Sequence, residues 1–398
     1  MSEIRHTKAD KKTFGPKSSF GKIAIMAGAI VAFTIGSGFA TGQEVLQYFS
    51  SYGFWGIFGG GLIMLTMLIV TYIFVARVGH RERFTKPTGL FYFLGGRYLG
   101  MVLDFFFVLQ MFLLFTMMIS GGGALFKQHY GLSVYLGGIA VALVVSATAW
   151  FGLRNLIEII GRIGPLIVLA AVILGIVGLF NATDGLVEGN RIVADLEIVQ
   201  ASAHWLPAAI SYAGVVILML TPFVATLGKG STTRKQAGIG GAAGAIAFTV
   251  GGMIAALGLL ANIGRVFDMD IPLMVLAQDI SPAVASLISV VILAGIYTTA
   301  VPLLWSVSSR FYKDRTTGFK VVTILTAVFG SIVGLAVPFP QLVNFTFQMS
   351  GYVGILVFIL IVVHLLFGRD KTAPEPTEQP AVTVESSNPE ESKTARAR

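Results

Sequence analysis

Residues 23–49 contain no lysine or arginine. A helix needs about 20 predominantly apolar residues to cross a bilayer, so this run crosses one with length to spare; unbroken, it would extend roughly 40 Å. Its middle reads Ala32-Phe33-Thr34-Ile35-Gly36-Ser37-Gly38-Phe39-Ala40-Thr41-Gly42-Gln43-Glu44. Gly36, Gly38 and Gly42 each disfavour helix by about 1 kcal/mol relative to alanine, and the run therefore predicts a helix interrupted near mid-membrane. Backbone groups freed at that depth are tolerated only where they are buried in protein or line a watered cavity, so the interruption marks a site. Gly38 and Gly42 also have the spacing of a close-packing face. Thr34, Ser37, Thr41, Gln43 and the carboxylate of Glu44 favour the interrupted reading, because a merely packed helix has little use for an intramembrane charge.

The rest of the chain repeats the theme. Further spans are expected at 54–76, 98–119, 132–151, 163–180, 201–227, 237–261, 283–309, 319–337 and 342–367, ten in all. The composition agrees: of 398 residues 55% are hydrophobic and 12% charged, where a soluble domain has about a quarter charged. Residues 1–19 are polar and basic, and the following apolar run exceeds a signal-peptide core, so the first helix is expected to stay. The absence of cysteine excludes disulfides, iron–sulfur clusters and thiolate metal sites.

The net charge of +8 is explained by topology. With the N-terminus inside, all of the 28 basic residues except Lys127, Arg191 and Arg265 fall on cytoplasmic segments, the positive-inside pattern. Both termini are then cytoplasmic in a multi-pass plasma-membrane protein, with the lipid bilayer as partner and no nucleic acid. The expected organisation is a basic segment 1–22, a five-helix repeat over 23–180, an acidic outer loop 181–200, a second five-helix repeat over 201–367, and a disordered cytoplasmic tail 368–398. A second acidic outer loop, 262–282, holds a possible short helix at 271–280, readable as a lid or as an ordinary loop.

Span six carries Ala-Ala-Ile-Ser-Tyr-Ala-Gly-Val-Val at 208–216 between Pro207 and Pro222, and is expected to be the second broken helix. Five spans per half make the halves inverted, and paired interruptions in inverted halves are a pointer to a transporter's midplane site.

Few ionisable groups lie within the spans. Glu44 and Asp104 do, with Glu158 at a cytoplasmic edge, and intramembrane carboxylates are functional by default. Glu44 is expected to gate, carry a proton or meet a substrate amine; Asp104 is expected to act in gating or coupling, with capping by an inner-loop arginine as the plainer alternative. Gln110 reads as a substrate contact or an interhelical hydrogen bond. In span eight, Gly295, Thr298 and Thr299 share a helix face, and Pro302 lacks the N–H that would bond the Thr298 carbonyl. Neutral oxygens of this kind suit a hard cation; hydroxyl back-bonding to the helix is the alternative. Soluble-enzyme motifs are missing: Gly228-Lys229-Gly230-Ser231-Thr232 lacks the phosphate-loop spacing, and an enzyme is not expected.

The segment Gly36-Ser37-Gly38-Phe39-Ala40-Thr41-Gly42-Gln43-Glu44, with ten spans and this topology, resembles the YkvI-type bacterial membrane proteins of the amino acid–polyamine–organocation superfamily. The resemblance implies an all-α leucine-transporter-type fold with spans one and six unwound at their centres, and cation-coupled transport of an amino acid or related small amine. It assigns the N–H groups of Gly36, Ser37 and Gly38 to a substrate carboxylate, with Gln43, Gln110, Ser211, Tyr212 and Gly214 completing the substrate site. It likewise implies a sodium ion held by the carbonyls of Ala32, Ile35 and Gly295 and the hydroxyls of Thr298 and Thr299, a proton being the alternative coupling ion. A non-transporting receptor for the same class of small molecule is the other expectation for this fold.

Overall fold

The computed structural model describes residues 19–34, 37–151, 157–182, 185–314 and 316–367. The expected site residues Ile35 and Gly36, most of the basic N-terminal segment and the tail 368–398 lie outside these. Among the described residues every regular element is helical.

The first apolar run is three pieces. α1 (Ser19–Thr34) is followed by α2 (Ser37–Thr41) and α3 (Gln43–Tyr48). Gly42 separates the last two in the left-handed region at φ 85°, a conformation that other residues adopt only with strain. A π-helical turn, Trp55–Gly59, leads into α4 (Gly60–Glu82). α5 (Gly89–Tyr130) bends at Gly96 near its start, and α6 (Val134–Phe151) and α7 (Ile157–Phe180) complete the first half.

The stretch expected as an outer loop is more structured than a plain loop over 185–200. It forms α8 (Gly185–Ile192) and is tied down by Asn190, whose Oδ1 accepts from the Phe54 N–H at 2.8 Å. The second half comprises α9 (Trp205–Lys229), α10 (Arg234–Leu260), the single turn α11 (Ile263–Val266), α12 (Pro272–Ile280), α13 (Pro282–Phe311), α14 (Thr317–Ala336) and α15 (Phe339–Phe367). α12 is the possible short helix of the second acidic loop, opened by Pro272 where a missing N–H is harmless.

Seven helices among the described residues are long and apolar enough to cross a membrane, and Phe20–Thr34 and Val134–Trp150 are shorter apolar helices. The chain is a multi-pass membrane protein. Outward faces carry large apolar side chains, such as Leu325, Phe329 and Ile332 on α14, the surface that lipid requires.

The helices sort into two packed groups. α1, α4, α9 and α10 pack on one another, as do α5, α6, α13 and α14; α7 bridges from α10 to α13, and α15 from α9 to α5. Basic side chains tie helix ends together here: Lys229 Nζ of α9 donates to the Phe84 carbonyl just past α4 at 2.9 Å, and Lys22 Nζ of α1 donates to Thr232 Oγ1 between α9 and α10 at 2.9 Å.

The expected break in span six is not seen. α9 runs unbroken through Ser211–Tyr212–Ala213–Gly214. Pro207 sits in its first turns, where no intrahelical bond is lost, and Gly214 serves a close crossing instead: a Cβ on Gly214 would strike the Gly351 carbonyl of α15, and one on Gly354 would strike the Gly214 carbonyl.

Candidate functional site

A cavity of about 140 Å³ lies between the two helix groups, where α1 stops. Its polar lining is Thr34, Glu44, Tyr212, Thr298, Thr299 and Ser306. Thr34 is tied to its own helix, its Oγ1 donating to the Ile30 carbonyl at 2.7 Å.

Glu44 reaches the cavity because Gly42 redirects the chain. All six residues of α3 are buried. Tyr212 Oη donates to Glu44 Oε1 at 3.0 Å, linking α3 to α9. The Tyr212 ring is held by Tyr48, Phe49 and Phe347 at centroid distances of 5.4, 5.0 and 5.9 Å. Aromatic contacts of this kind fix a ring's position, so the hydroxyl is aimed rather than free to swing. A buried carboxylate needs its charge balanced; here the described partner is a neutral hydroxyl.

On α13, Thr298 and Thr299 line the cavity together with Pro302 and Ser306. Thr298 Oγ1 donates to the Ala294 carbonyl at 2.8 Å and to the Gly295 carbonyl at 3.2 Å, the back-bonding alternative. That spends the hydroxyl's proton and leaves its oxygen an acceptor. Gly295 is not in the lining: a Cβ there would meet Ile167 of α7 at 3.0 Å, so its bare face serves helix packing. Ala32 does line the cavity.

The expected substrate residues divide. Tyr212 is in the cavity; Ser211 and Gly214 are not, and instead face Gly351 and Gly354 across the α9–α15 seam. The reason is periodicity. Tyr212, Val215, Val216 and Met219 recur at helical spacing and present one face of α9 to the cavity, while Ser211 and Gly214 belong to the neighbouring face. Gln110 is buried and donates through Nε2 to the Val215 carbonyl at 3.1 Å, the interhelical bond rather than a cavity contact. Gln43 is buried outside the lining, its backbone N–H 3.3 Å from Thr41 Oγ1. Ser37 and Gly38 lie in the first turn of α2.

Asp104 stands apart from the cavity. Its Oδ2 accepts from Arg310 of α13 in a short ion pair and from Tyr92 Oη at 3.1 Å. The pair joins α5 to the basic end of α13, which is the capping arrangement.

Sequence reasoning missed the apolar wall. Met111, Leu114 and Met118 of α5 line the cavity at helical spacing, with Met219 and Phe347 from α9 and α15. No signal marked these positions, because this part of α5 is apolar on every side and its cavity face reads like the rest.

The cavity runs toward the basic end. Its lining on α9 extends from Tyr212 to Met219 and on α13 from Thr298 to Ser306, both toward the termini that carry Lys229 and Arg310. At the opposite end α12 closes over the turn between α2 and α3: a Cβ on Gly42 would meet Leu273 Cγ at 2.8 Å. α12 is itself clamped. Gln128 at the end of α5 donates to the Ile271 carbonyl at 3.0 Å and accepts from the Ile271 N–H at 2.8 Å, and Arg265 Nη1 donates to Asp279 at 2.8 Å.

No protein-family model matches the sequence. The chain is 22% identical over 353 residues to the uncharacterized membrane protein YkvI of Bacillus subtilis, covering 85% of this chain and 95% of that protein. It is also 22% identical over 348 residues to the uncharacterized protein YyaD of the same organism, covering 86% and 96%. Among solved structures it resembles a sodium-coupled sialic acid symporter in a substrate-bound outward-open state, with a TM-score of 0.57 at 15% identity over 85% of this chain and 79% of that one. It also resembles MhsT in complex with L-phenylalanine, with a TM-score of 0.55 at 16% identity over 89% and 90%. A manganese transporter of Eremococcus coleocola is similar at a TM-score of 0.53 and 17% identity over 92% and 81%. These likenesses establish the fold, which the chain shares with the sialic acid symporter, MhsT and the manganese transporter.

Proposed function

We propose that this chain is a cation-coupled secondary transporter of an amino acid or related small amine, working by alternating access. The observation that carries the reading is one cavity lined at once by the end of α1, by Glu44 and Tyr212, and by the threonines of α13. In this reading the chain has ten spans, α1 to α3 together making the first. Advancing each span by five turns the pairing of α1 with α10 into that of α9 with α4, and the pairing of α5 with α14 into that of α13 with α6; all four pairs are in contact. That regularity supports two inverted repeats. With basic ends inside, the cavity runs toward the cytoplasmic side while α12 packs over the opposite end, which supports an inward-facing reading.

The substrate's ammonium meets Glu44, and its carboxylate meets the N–H groups of Gly36, Ser37 and Gly38. Its side chain lies against Met111, Met118, Val216 and Met219, a wall whose thioethers adapt to apolar shapes. The binding of L-phenylalanine by MhsT fits this preference. Sodium would be held by the carbonyls of Ala32 and Ile35 and the hydroxyls of Thr298 and Thr299, neutral oxygens that add no net charge, without the Gly295 carbonyl, which lies outside the lining and accepts from Thr298. Sodium then bridges α1 to α13 and raises substrate affinity by linkage, a coupling of about 1–3 kcal/mol.

Uptake into proteoliposomes tests the whole. Accumulation of apolar amino acids should require a sodium gradient and be lost in Thr298→Val with Thr299→Val. Uptake indifferent to sodium sinks the ion site, and binding without flux assigns a receptor instead.

A further inference from the structure

A second, larger cavity of about 420 Å³ opens at the basic end, away from the first, between α4, α10, the start of α5 and the end of α15. Every titratable side chain that lines it is basic: Arg77, Arg81, Arg234 and His364. We propose that this groove binds an anionic phospholipid, its phosphate held by the arginines and one acyl chain lying along α4.

Two helices supply the cationic rim. Arg77 and Arg81 are one turn apart on α4, and Arg234 is the first residue of α10. The guanidinium of Arg77 lies across Gly238 of α10, where a Cβ would come within 2.7 Å of Nε; any larger residue there would push it off. Arg81 is positioned over the Phe93 ring at 5.9 Å, and Phe93 lies 5.6 Å from the His364 ring. Arg81 Nε also donates to Glu82 at 2.7 Å, a carboxylate that is not in the lining.

Below the rim the groove turns apolar. Ile69, Val70, Ile73 and Phe74 form its wall one to two turns deeper on α4, with Leu365 opposite. The order along the membrane normal is therefore cation first and hydrocarbon second, which matches a headgroup and its chain. A free phosphate would use only the rim. The acidic stretch that follows Phe367, with Glu375 and Glu378 among prolines and threonines, would use only the rim as well, having no apolar run for the wall. Basic pockets between spans at the cytoplasmic surface are sites for anionic headgroups, and the positive-inside orientation places this one in that leaflet.

Native mass spectrometry of the purified full chain in a neutral detergent, titrated with phosphatidylglycerol or phosphatidylcholine, tests the site. Phosphatidylglycerol should bind about tenfold more tightly, and Arg77→Gln with Arg234→Gln should remove that preference. Ile73→Trp, which fills the wall without touching the charge, should weaken phosphatidylglycerol severalfold and covers the case in which the double variant fails to fold. Equal binding of the two lipids overturns the proposal, as does an undiminished preference in both variants. Displacement of the lipid by millimolar inorganic phosphate would make the ligand a free anion, and a preference seen only in Glu375→Gln with Glu378→Gln would give the groove to the tail.

Discussion

Glu44 and Asp104 are both buried carboxylates within spans, at 5% and 2% exposure, and they are balanced in different ways. Asp104 faces the guanidinium of Arg310 with Tyr92 in support, and the cluster sits off the cavity, joining two helices of one group. Glu44 faces the neutral hydroxyl of Tyr212 inside the cavity, between the two groups. A guanidinium cancels the carboxylate's charge within the protein. A phenol does not, so the charge at Glu44 is left to be matched by a proton, a metal cation or a substrate ammonium. Burial alone is common to scaffold and site; the partner separates them.

The largest expected effect falls on the scaffold. Asp104→Asn strands Arg310 and should cost about 2 kcal/mol of stability, less than the 3–5 of a fully buried pair because the Arg310 side chain is 41% exposed. Thermal unfolding in detergent checks it, and adding Arg310→Gln should recover part of the loss. If the single replacement leaves the midpoint unmoved, the two carboxylates are not different in kind.

Glu44→Gln should do the reverse, leaving the midpoint nearly unchanged while lowering uptake about tenfold, equivalent to ~1.4 kcal/mol of coupling or binding, and altering the pH profile of what remains. Tyr212→Phe sharpens the point: it removes one hydrogen bond worth about 1 kcal/mol and should reduce uptake less than Glu44→Gln does. Normal transport with an unaltered profile in Glu44→Gln would demote Glu44 to a structural carboxylate like Asp104.

The smallest effect is expected at a carboxyl outside the bilayer. Asp270, just before α12, has its pKa raised by burial, with Lys127 opposing the rise. A raised folded pKa contributes stability that is complete below the unfolded value of about 3.9 and is lost as pH climbs through the folded one. Asp270→Asn should therefore stabilise slightly at neutral pH, by a few tenths of a kcal/mol, and not at all at pH 3; equal effects at both pH values would show that burial is not the cause.

Much of this was legible in the chain itself. The bilayer fixes how long an apolar run must be, so the spans could be placed without knowing what they touch. An interruption among Gly36, Gly38 and Gly42 followed from local glycine chemistry, though not which glycine turns the chain, and the short helix α12 was legible only as one of two readings of its loop. The partners were not legible. Nothing near Asp104 in sequence names Arg310, and nothing near Glu44 names Tyr212, because those pairings are made by helix packing across more than a hundred residues. Gly214 shows the same limit from the other side: a glycine among small residues fits an unwound helix and a tight crossing equally well, and α15 decides the matter by approaching there.

The crossing of α9 and α15 brings bare backbone against bare backbone at Gly214, Gly351 and Gly354. Most helix pairs mesh like cogs, and turning one means disengaging its teeth. This pair has no teeth at its centre. α9 carries Tyr212 and Met219 on its cavity side, so a small roll about this bearing would move both side chains in the cavity and would shear the Tyr212–Phe347 ring contact as it did so. The glycines would then act as a hinge pin for the wall, and any methyl group added there would be grit in it.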